Sequence, residues 1–120
     1  MRVRRGDVVL TDFPFTDGSG SKIRPALVIQ NDRNNQWLND TILILITSRT
    51  SFALTEPTQL YVDVSTPDGA ALGLLFNSAV KAEHILTIDH RFIQRVIGSF
   101  SSALMQEVNG RVIASLDLTH

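Results

Sequence analysis

The chain has 120 residues, of which 43% are hydrophobic and 19% charged, so it can form one core and is neither disordered nor fibrous. The absence of cysteine excludes disulfides and thiolate zinc sites. The net charge is −1, whereas proteins that coat duplex nucleic acid are usually strongly basic. Any contact with nucleic acid is therefore expected at a local patch. Lys22, Arg24, Arg49 and Lys81 could form one, or they are scattered solubilising charges.

The first part of the chain predicts a long hairpin. Residues 7–13 alternate in character and predict a strand, and the polar, glycine-containing residues 16–22 predict an exposed, mobile loop. Residues 26–29 are apolar and predict a short buried strand. Pro25 fixes its own φ and biases Arg24 towards an extended backbone. Arg24 is therefore predicted to be a fixed charge at the start of that strand.

The middle of the chain predicts the centre of the sheet. Residues 41–46 are apolar on both faces after the first residue, so this strand must be covered on both sides, and Thr47 ends it. Further short strands are predicted over residues 60–64, 74–80, 85–88 and 95–98.

One helix is predicted near the C-terminus. Ser101 is a plausible N-cap, with Phe100 and Met105 placed for a hydrophobic staple. One face of the helix carries Leu104, Met105, Val108, Val112 and Leu116. Short strands followed by a helix predict a mainly β fold, either a curled, mostly antiparallel sheet or a small barrel, with the helix packed against it. We expect residues 1–120 to form a single domain.

Several kinds of chemistry have no motif in this sequence. There is no metal-ligand spacing, nucleophile elbow, P-loop or dinucleotide fingerprint, so we expect neither a metal nor a cofactor. His84 and His90 could act as an acid–base pair on RNA, although histidines at such a spacing are more often ordinary surface or edge residues. No secretory or membrane segment is apparent, so we expect a cytoplasmic protein without membrane contact.

Arg24 and Thr47 are the candidates for a reactive site. If their strands are antiparallel neighbours, the start of one lies beside the end of the other, and a guanidinium comes close to a hydroxyl. Metal-free RNA cleavage by the 2′-hydroxyl builds negative charge on the phosphoryl oxygens, which these two groups can stabilise. Arginine has a pKa above about 12, so its main role would be transition-state stabilisation, with proton transfer to the leaving oxygen as a further role. Alternatively, Arg24 pairs with a carboxylate and Thr47 only ends a strand, and spacing alone leaves both open.

The same residues resemble the MazF/PemK-type toxins of bacterial toxin–antitoxin systems. The matching motifs are RGDVVL (residues 5–10), RPALVIQND (24–32), ITS (46–48), NS (77–78) and EHILTID (83–89), followed by the helix. They occur in the order and spacing of the family and cover nearly the whole chain. The resemblance implies an SH3-like barrel with a C-terminal helix, working as a homodimer.

The resemblance also implies an activity. Such a protein is a metal-independent endoribonuclease that cuts single-stranded mRNA at short sequences and leaves a 2′,3′-cyclic phosphate and a 5′-hydroxyl. Arg24 and Thr47 match the family's catalytic pair. The expected RNA-binding residues are Ser19, Ser21, Lys22, Ser48, Asn77, Ser78, Lys81, Glu83 and His84. A cognate antitoxin, whose disordered tail covers the RNA groove, is the expected partner.

Three positions depart from the family pattern. Lys81 and Glu83 stand where one branch has an arginine and an aspartate, which are proposed as its acid and base. Lysine keeps the charge but loses the planar fork, so those roles are not transferred here. His84 stands where glutamine is common, and it could titrate near neutral pH.

Two rival functions remain open at this stage. A noncatalytic barrel of the same fold could inhibit a protein target such as DNA gyrase, using exposed residues of the terminal helix around 117–120 and needing neither Arg24 nor Thr47. A degenerate homologue could survive as a binding module, but its expected signature, loss of the Arg/Thr pair, is absent.

Overall fold

The computed structural model describes residues 2–119. The strands are β1 (Asp7–Pro14), β2 (Ser21–Val28), β3 (Asp40–Thr47), β4 (Gln59–Val62), β5 (Ser78–Asp89) and β6 (Ile93–Ser99). The helices are α1 (Asp32–Trp37), α2 (Pro67–Ala70) and α3 (Ser102–Leu116), with a 3-10 helix over His90–Phe92. Within the described residues, no helix is long and apolar enough to cross a membrane.

The six strands form one antiparallel sheet in the order β4-β5-β3-β2-β1-β6. This arrangement confirms the predicted fold class, mainly β with a C-terminal helix. As its two apolar faces predicted, β3 lies inside the sheet, between β2 and β5.

The sheet is curled, and among the described residues β4 and β6 do not pair with each other. Instead, the segment after α2 lies against β6, where the Ser99 N–H donates to the Ala71 carbonyl at 3.0 Å. A Cβ on Gly98 would lie 2.3 Å from backbone atoms of Leu72, so this approach requires glycine. The segment therefore links the β4–β5 side of the sheet to its other edge.

Both faces of the sheet bury apolar side chains, because successive residues of a strand point to opposite faces. One cluster includes Val8, Leu27, Ile44 and Ile46, together with Met105 and Val108 of α3. The other includes Val9, Phe13, Ala26, Val28, Leu43 and Leu45. The central strands are thus held rigidly from both sides, which fixes the positions of the residues at their ends.

The C-terminal helix is capped as predicted. The Ser101 Oγ accepts the N–H of Leu104 at 3.2 Å, and Phe100 and Met105 are both buried. The prediction for Leu116 is wrong: its side chain is 52% exposed, because the last turn of α3 extends beyond the core cluster. His120, which belongs to the segment that the protein-inhibitor alternative would use, lies outside the described residues.

The predicted start of β2 is wrong. The strand begins at Ser21, and Arg24 lies within it, opposite Thr11 of β1. Ser21 and Lys22, which were predicted in a mobile loop, are paired with Pro14 and Phe13. Polar residues enter the strand here because β1 supplies the hydrogen-bonding partner, which an apolar pattern does not reveal.

The two predicted strands at 74–80 and 85–88 are one strand of 12 residues, β5, which begins at Ser78, so the prediction for residues 74–77 is wrong. Leu45 pairs with Lys81, but the next residue back along β3, Ile44, pairs with Ile85. Residues 82–84 are therefore extra on β5 and form a bulge. The polar residues between the two predicted strands suggested a break, but this bulge accommodates them. Asn77 lies just before the strand.

Candidate functional site

Arg24 and Thr47 lie at the same end of two neighbouring strands. β2 and β3 are antiparallel, and the last residue pair of their ladder at this end of the sheet is Ala26 with Leu45. Arg24 and Thr47 each lie two residues beyond this pair, so the alternation of side chains along a strand puts both on the same face of the sheet. The spatial condition on which the sequence-based hypothesis depended is therefore met.

Arg24 is half-buried and has no counter-ion among the described residues. Within residues 2–119, the one ion pair joins Arg91 and Asp89. The Nε of Arg24 is buried without a hydrogen-bond partner in that part of the chain, and its Cζ lies 5.4 Å from the centroid of the Phe15 ring. The alternative in which a carboxylate neutralises Arg24 is thus wrong for the described residues.

Thr47 is the half-buried last residue of β3. Its Oγ1 accepts the backbone N–H of Arg49 at 3.2 Å, which tightens the turn after the strand. Among the described residues, the Thr47 hydroxyl donates to no acceptor, so its hydrogen is available to an anion. Thr47 therefore ends the strand and also presents a donor.

A cleft of about 990 Å³ opens at this end of the sheet. Six of the predicted site residues line it: Lys22, Arg24, Thr47, Ser48, Ser78 and Lys81. Arg49 also lines it, so the structure brings together all four basic residues of the predicted patch. Arg95 adds a fifth cation, and no aspartate or glutamate of the described chain lines the cleft. The cleft is locally positive in a protein whose net charge is −1.

Sequence reasoning missed several cleft residues. Arg95 belongs to β6 and opposes Leu10 of β1, so only the folded sheet brings it to the cleft. Phe15, Phe52 and Phe76 are also part of the lining, with exposed fractions of 37%, 67% and 66%. The only sequence signal for these rings is that each lies beside a polar or glycine-containing stretch. The exposed rings of Phe52 and Phe76 lie next to cations and suit unstacked bases.

The remaining predicted site residues do not line the cleft: Ser19, Ser21, Asn77, Glu83 and His84. The Asn77 Oδ1 accepts the backbone N–H of Val64 at 2.9 Å. The Glu83 carboxylate accepts hydrogen bonds from Thr58 and Gln59, at 3.0 and 2.8 Å. Both side chains thus join neighbouring segments of the fold.

His84 follows Glu83 in the β5 bulge and lies close to the cleft cations. Its ring packs edge-on against Phe13, with centroids 4.8 Å apart. Burial lowers the pKa of His84 below its usual value, the positive charges of Lys81 and Arg24 lower it further, and Glu83 opposes them. The surroundings of His84 therefore favour the neutral imidazole over the charged form.

The arrangement is chemically suited to an anion with several oxygens. A guanidinium with free N–H donors and a hydroxyl on the facing strand can both bind phosphate oxygens, and the other cations extend the field along the cleft. Within residues 2–119, no group of three or more histidine, aspartate or glutamate side chains comes close enough together to hold a metal ion.

Comparison with known proteins supports this interpretation. The model of the family described as PemK-like, MazF-like toxin of type II toxin–antitoxin system matches residues 4–116. An endoribonuclease MazF from Staphylococcus saprophyticus is 33% identical over 117 residues, covering 97% of this chain and 92% of that protein.

Solved structures share the fold. A mycobacterial endoribonuclease in complex with its cognate antitoxin superimposes with a TM-score of 0.76 at 23% identity, covering 98% of each chain. The toxin MazF-mt6 of Mycobacterium tuberculosis gives 0.76 at 20% identity, over 95% of this chain and 99% of that one. A MazE–MazF complex from Deinococcus radiodurans gives 0.72 at 22% identity, over 99% of both chains. The resemblance seen in the sequence motifs is confirmed, and the chain belongs to the PemK-like, MazF-like toxins of type II toxin–antitoxin systems.

Proposed function

We propose that this chain is the endoribonuclease of a toxin–antitoxin pair and that it cleaves single-stranded RNA in the cleft, with Arg24 and Thr47 as the catalytic pair. The observation that carries the proposal is that Arg24 and Thr47, from neighbouring antiparallel strands, line one cleft with five basic and no acidic side chains among the described residues. Family membership and a 33% identical relative named as an endoribonuclease support it.

The reaction needs no group beyond the RNA itself as nucleophile. The 2′-oxygen loses its proton to the solvent and bonds to the adjacent phosphorus, while the bond from phosphorus to the 5′-oxygen breaks and that oxygen takes a proton from the solvent. The products are a 2′,3′-cyclic phosphate and a 5′-hydroxyl. Negative charge grows on the non-bridging oxygens, and the Arg24 guanidinium and the Thr47 hydroxyl stabilise it. Because Arg24 has no counter-ion among the described residues, its full charge acts on the phosphate.

RNA binding combines charge with base contacts. Lys22 and Lys81 neutralise phosphates, and Ser48 and Ser78 line the same cleft. Single-stranded RNA is favoured because its bases can be splayed onto exposed aromatic faces. The predicted contacts that lie outside the cleft require an RNA that runs beyond it: Ser19, Ser21, Asn77, Glu83 and His84.

The proposal includes the partners. One structural neighbour of this chain was solved with its cognate antitoxin, and another is a MazE–MazF complex. Here too, an antitoxin would cover the cleft with a disordered tail, and its acidic residues would complement the five cations. A second copy of the chain, forming a homodimer, is also expected, as are a single domain over residues 1–120 and action in the cytoplasm, where mRNA is available.

The test is cleavage of a long single-stranded RNA in excess EDTA by the wild type, Arg24→Ala and Arg91→Ala, with the ends of the products mapped. Arg91 is an exposed arginine outside the cleft lining and serves as the matched control. Discrete cuts that carry cyclic phosphates are expected for the wild type and for Arg91→Ala, and none for Arg24→Ala.

Two results would contradict the proposal. Cleavage by a folded Arg24→Ala variant would remove Arg24 from the mechanism. Intact RNA with every folded variant would refute the nuclease activity and favour the alternative, a noncatalytic inhibitor of a protein such as DNA gyrase.

A further inference from the structure

We propose that Phe15 is a positioning residue that holds the guanidinium of Arg24 without neutralising it; its expected effect on cleavage rests on the proposed function. The Arg24 Cζ lies 5.4 Å from the centroid of the Phe15 ring, within the range in which the face of an aromatic ring attracts a cation. Phe15 and Arg24 both line the cleft.

An aromatic ring holds an arginine differently from a carboxylate. A carboxylate would occupy the N–H donors and cancel the charge that the reaction uses. A ring contacts the flat face of the guanidinium, so donors in the guanidinium plane stay available. This matches Arg24, whose buried Nε has no hydrogen-bond partner among the described residues.

Phe15 is itself held by the turn between β1 and β2. Its N–H donates to the Gly20 carbonyl at 2.8 Å, and its carbonyl accepts the Gly18 N–H at 3.1 Å. Gly18 has a φ of +76°, which favours glycine, and the ring lies 3.9 Å from where a Cβ on Gly20 would be. The backbone at Phe15 is therefore held by the turn itself, and the ring extends from it to the guanidinium of Arg24.

A second arginine–phenylalanine contact provides a matched comparison. The Arg91 Cζ lies 5.0 Å from the centroid of the Phe92 ring, and Phe92 is 46% exposed. Arg91 also has a carboxylate, Asp89, at 3.8 Å, and neither partner of this contact lines the cleft. Removing the Phe92 ring deletes the same type of interaction from a site without the proposed chemistry.

The experiment compares Phe15→Leu, Phe15→Tyr and Phe92→Leu with the wild type in RNA cleavage, measuring kcat and KM separately. Phe15→Leu keeps an apolar side chain but loses the ring, and we expect kcat to fall about 3- to 30-fold with KM nearly unchanged. Phe15→Tyr restores the ring and should recover most of kcat. Phe92→Leu should behave as the wild type.

A second measurement does not depend on activity. The NMR signal of the Arg24 Nε–H, identified by its loss in Arg24→Ala, should be displaced in Phe15→Leu, because the ring current is gone, and unchanged in Phe92→Leu. Absence of this displacement overturns the positioning role, whether or not RNA is cleaved.

The other possible outcomes also test the positioning role of Phe15. An unchanged kcat in Phe15→Leu overturns the proposal, and so does a raised KM with kcat unchanged, which would show that the ring contacts RNA directly. A wild type that fails to cleave RNA refutes the proposed function, and the NMR measurement then decides the positioning role by itself. If Phe15→Leu does not fold, Phe15→Met replaces it in both measurements.

Discussion

The two ends of the β2–β3 pair treat their polar side chains in opposite ways. At one end, Gln30, Asn35 and Thr41 are buried and bonded to one another: the Gln30 amide and the Thr41 hydroxyl donate to the Asn35 Oδ1, at 2.9 and 2.7 Å. At the other end, the buried Nε of Arg24 has no partner among the described residues, and the Thr47 hydroxyl donates to none of them.

The presence or absence of hydrogen-bond partners within the protein distinguishes a polar cluster that supports the fold from a site that can bind a ligand. A buried polar group without a partner costs about 1–3 kcal/mol of stability, and groups that serve the fold are normally paired. The Gln30–Asn35–Thr41 cluster is fully engaged inside the protein, so it contributes to the fold. At the other end, Arg24 has no carboxylate partner and the Thr47 hydroxyl donates to none of the described residues, so an external anion can bind there.

The largest expected effect on activity comes from removing the guanidinium of Arg24. Arg24→Ala should lower kcat/KM by about 10³-fold or more, because the main stabilising charge of the transition state is lost. Its free energy of unfolding should stay close to that of the wild type, since no ion pair is broken. Arg24→Lys keeps the charge but not the planar fork, so its kcat/KM should lie between those of the wild type and Arg24→Ala. Kinetics measure kcat/KM, and urea denaturation measures the free energy of unfolding. A strongly destabilised Arg24→Ala would show that Arg24 also serves the fold and would contradict the contrast between the two ends.

Removing the facing hydroxyl should have the next largest effect. Thr47→Ala deletes one donor to the developing charge, and a loss of about 10²-fold in kcat is expected. Thr47→Ser keeps the hydroxyl and serves as the control, with activity close to the wild type. Equal losses in both variants would assign the effect to packing of the methyl group instead.

At the end that holds the Gln30–Asn35–Thr41 cluster, a substitution should change the stability of the protein and not its catalytic activity. Asn35→Ala leaves Gln30 and Thr41 without their shared acceptor and should lower the free energy of unfolding by about 3 kcal/mol. Activity per folded molecule should not change. Asn39→Ala, at an exposed position nearby, is the control for urea denaturation. A loss of activity in folded Asn35→Ala would break the division between the two ends.

The smallest effect concerns the pH dependence of stability. The pKa of His84 is lowered from 6.5 in the folded protein, mainly by burial, so the unfolded chain binds the proton more readily. Stability should therefore fall as the pH drops below about 6.5, towards the folded-state pKa. His84→Gln removes this contribution and should flatten the dependence measured by urea denaturation between pH 8 and pH 5. The lowered pKa of His90 contributes in the same direction and stays in the variant, so the flattening is partial. An unchanged pH dependence would show that His84 has no share in it.

Much of the architecture could be predicted from short stretches of sequence. The two apolar faces of β3 predicted a central strand, and the Ser101 cap and the spacing of Met105 and Val108 predicted α3. The motifs around Arg24 and Thr47 indicated the family. These features are encoded in backbone preference and hydrophobic periodicity, which act over a few residues.

What needed the tertiary structure was everything that depends on a distant partner. β1 draws Ser21, Lys22 and Arg24 into β2, and the bulge in β5 joins two predicted strands into one. The same pairing brings Arg95 to the cleft, while Asn77 and Glu83 are engaged by neighbouring segments. The sequence by itself determined which residues could bind a phosphate. The long-range strand register decided which of them meet, because hydrogen-bonded pairing is set by chain segments far apart in sequence.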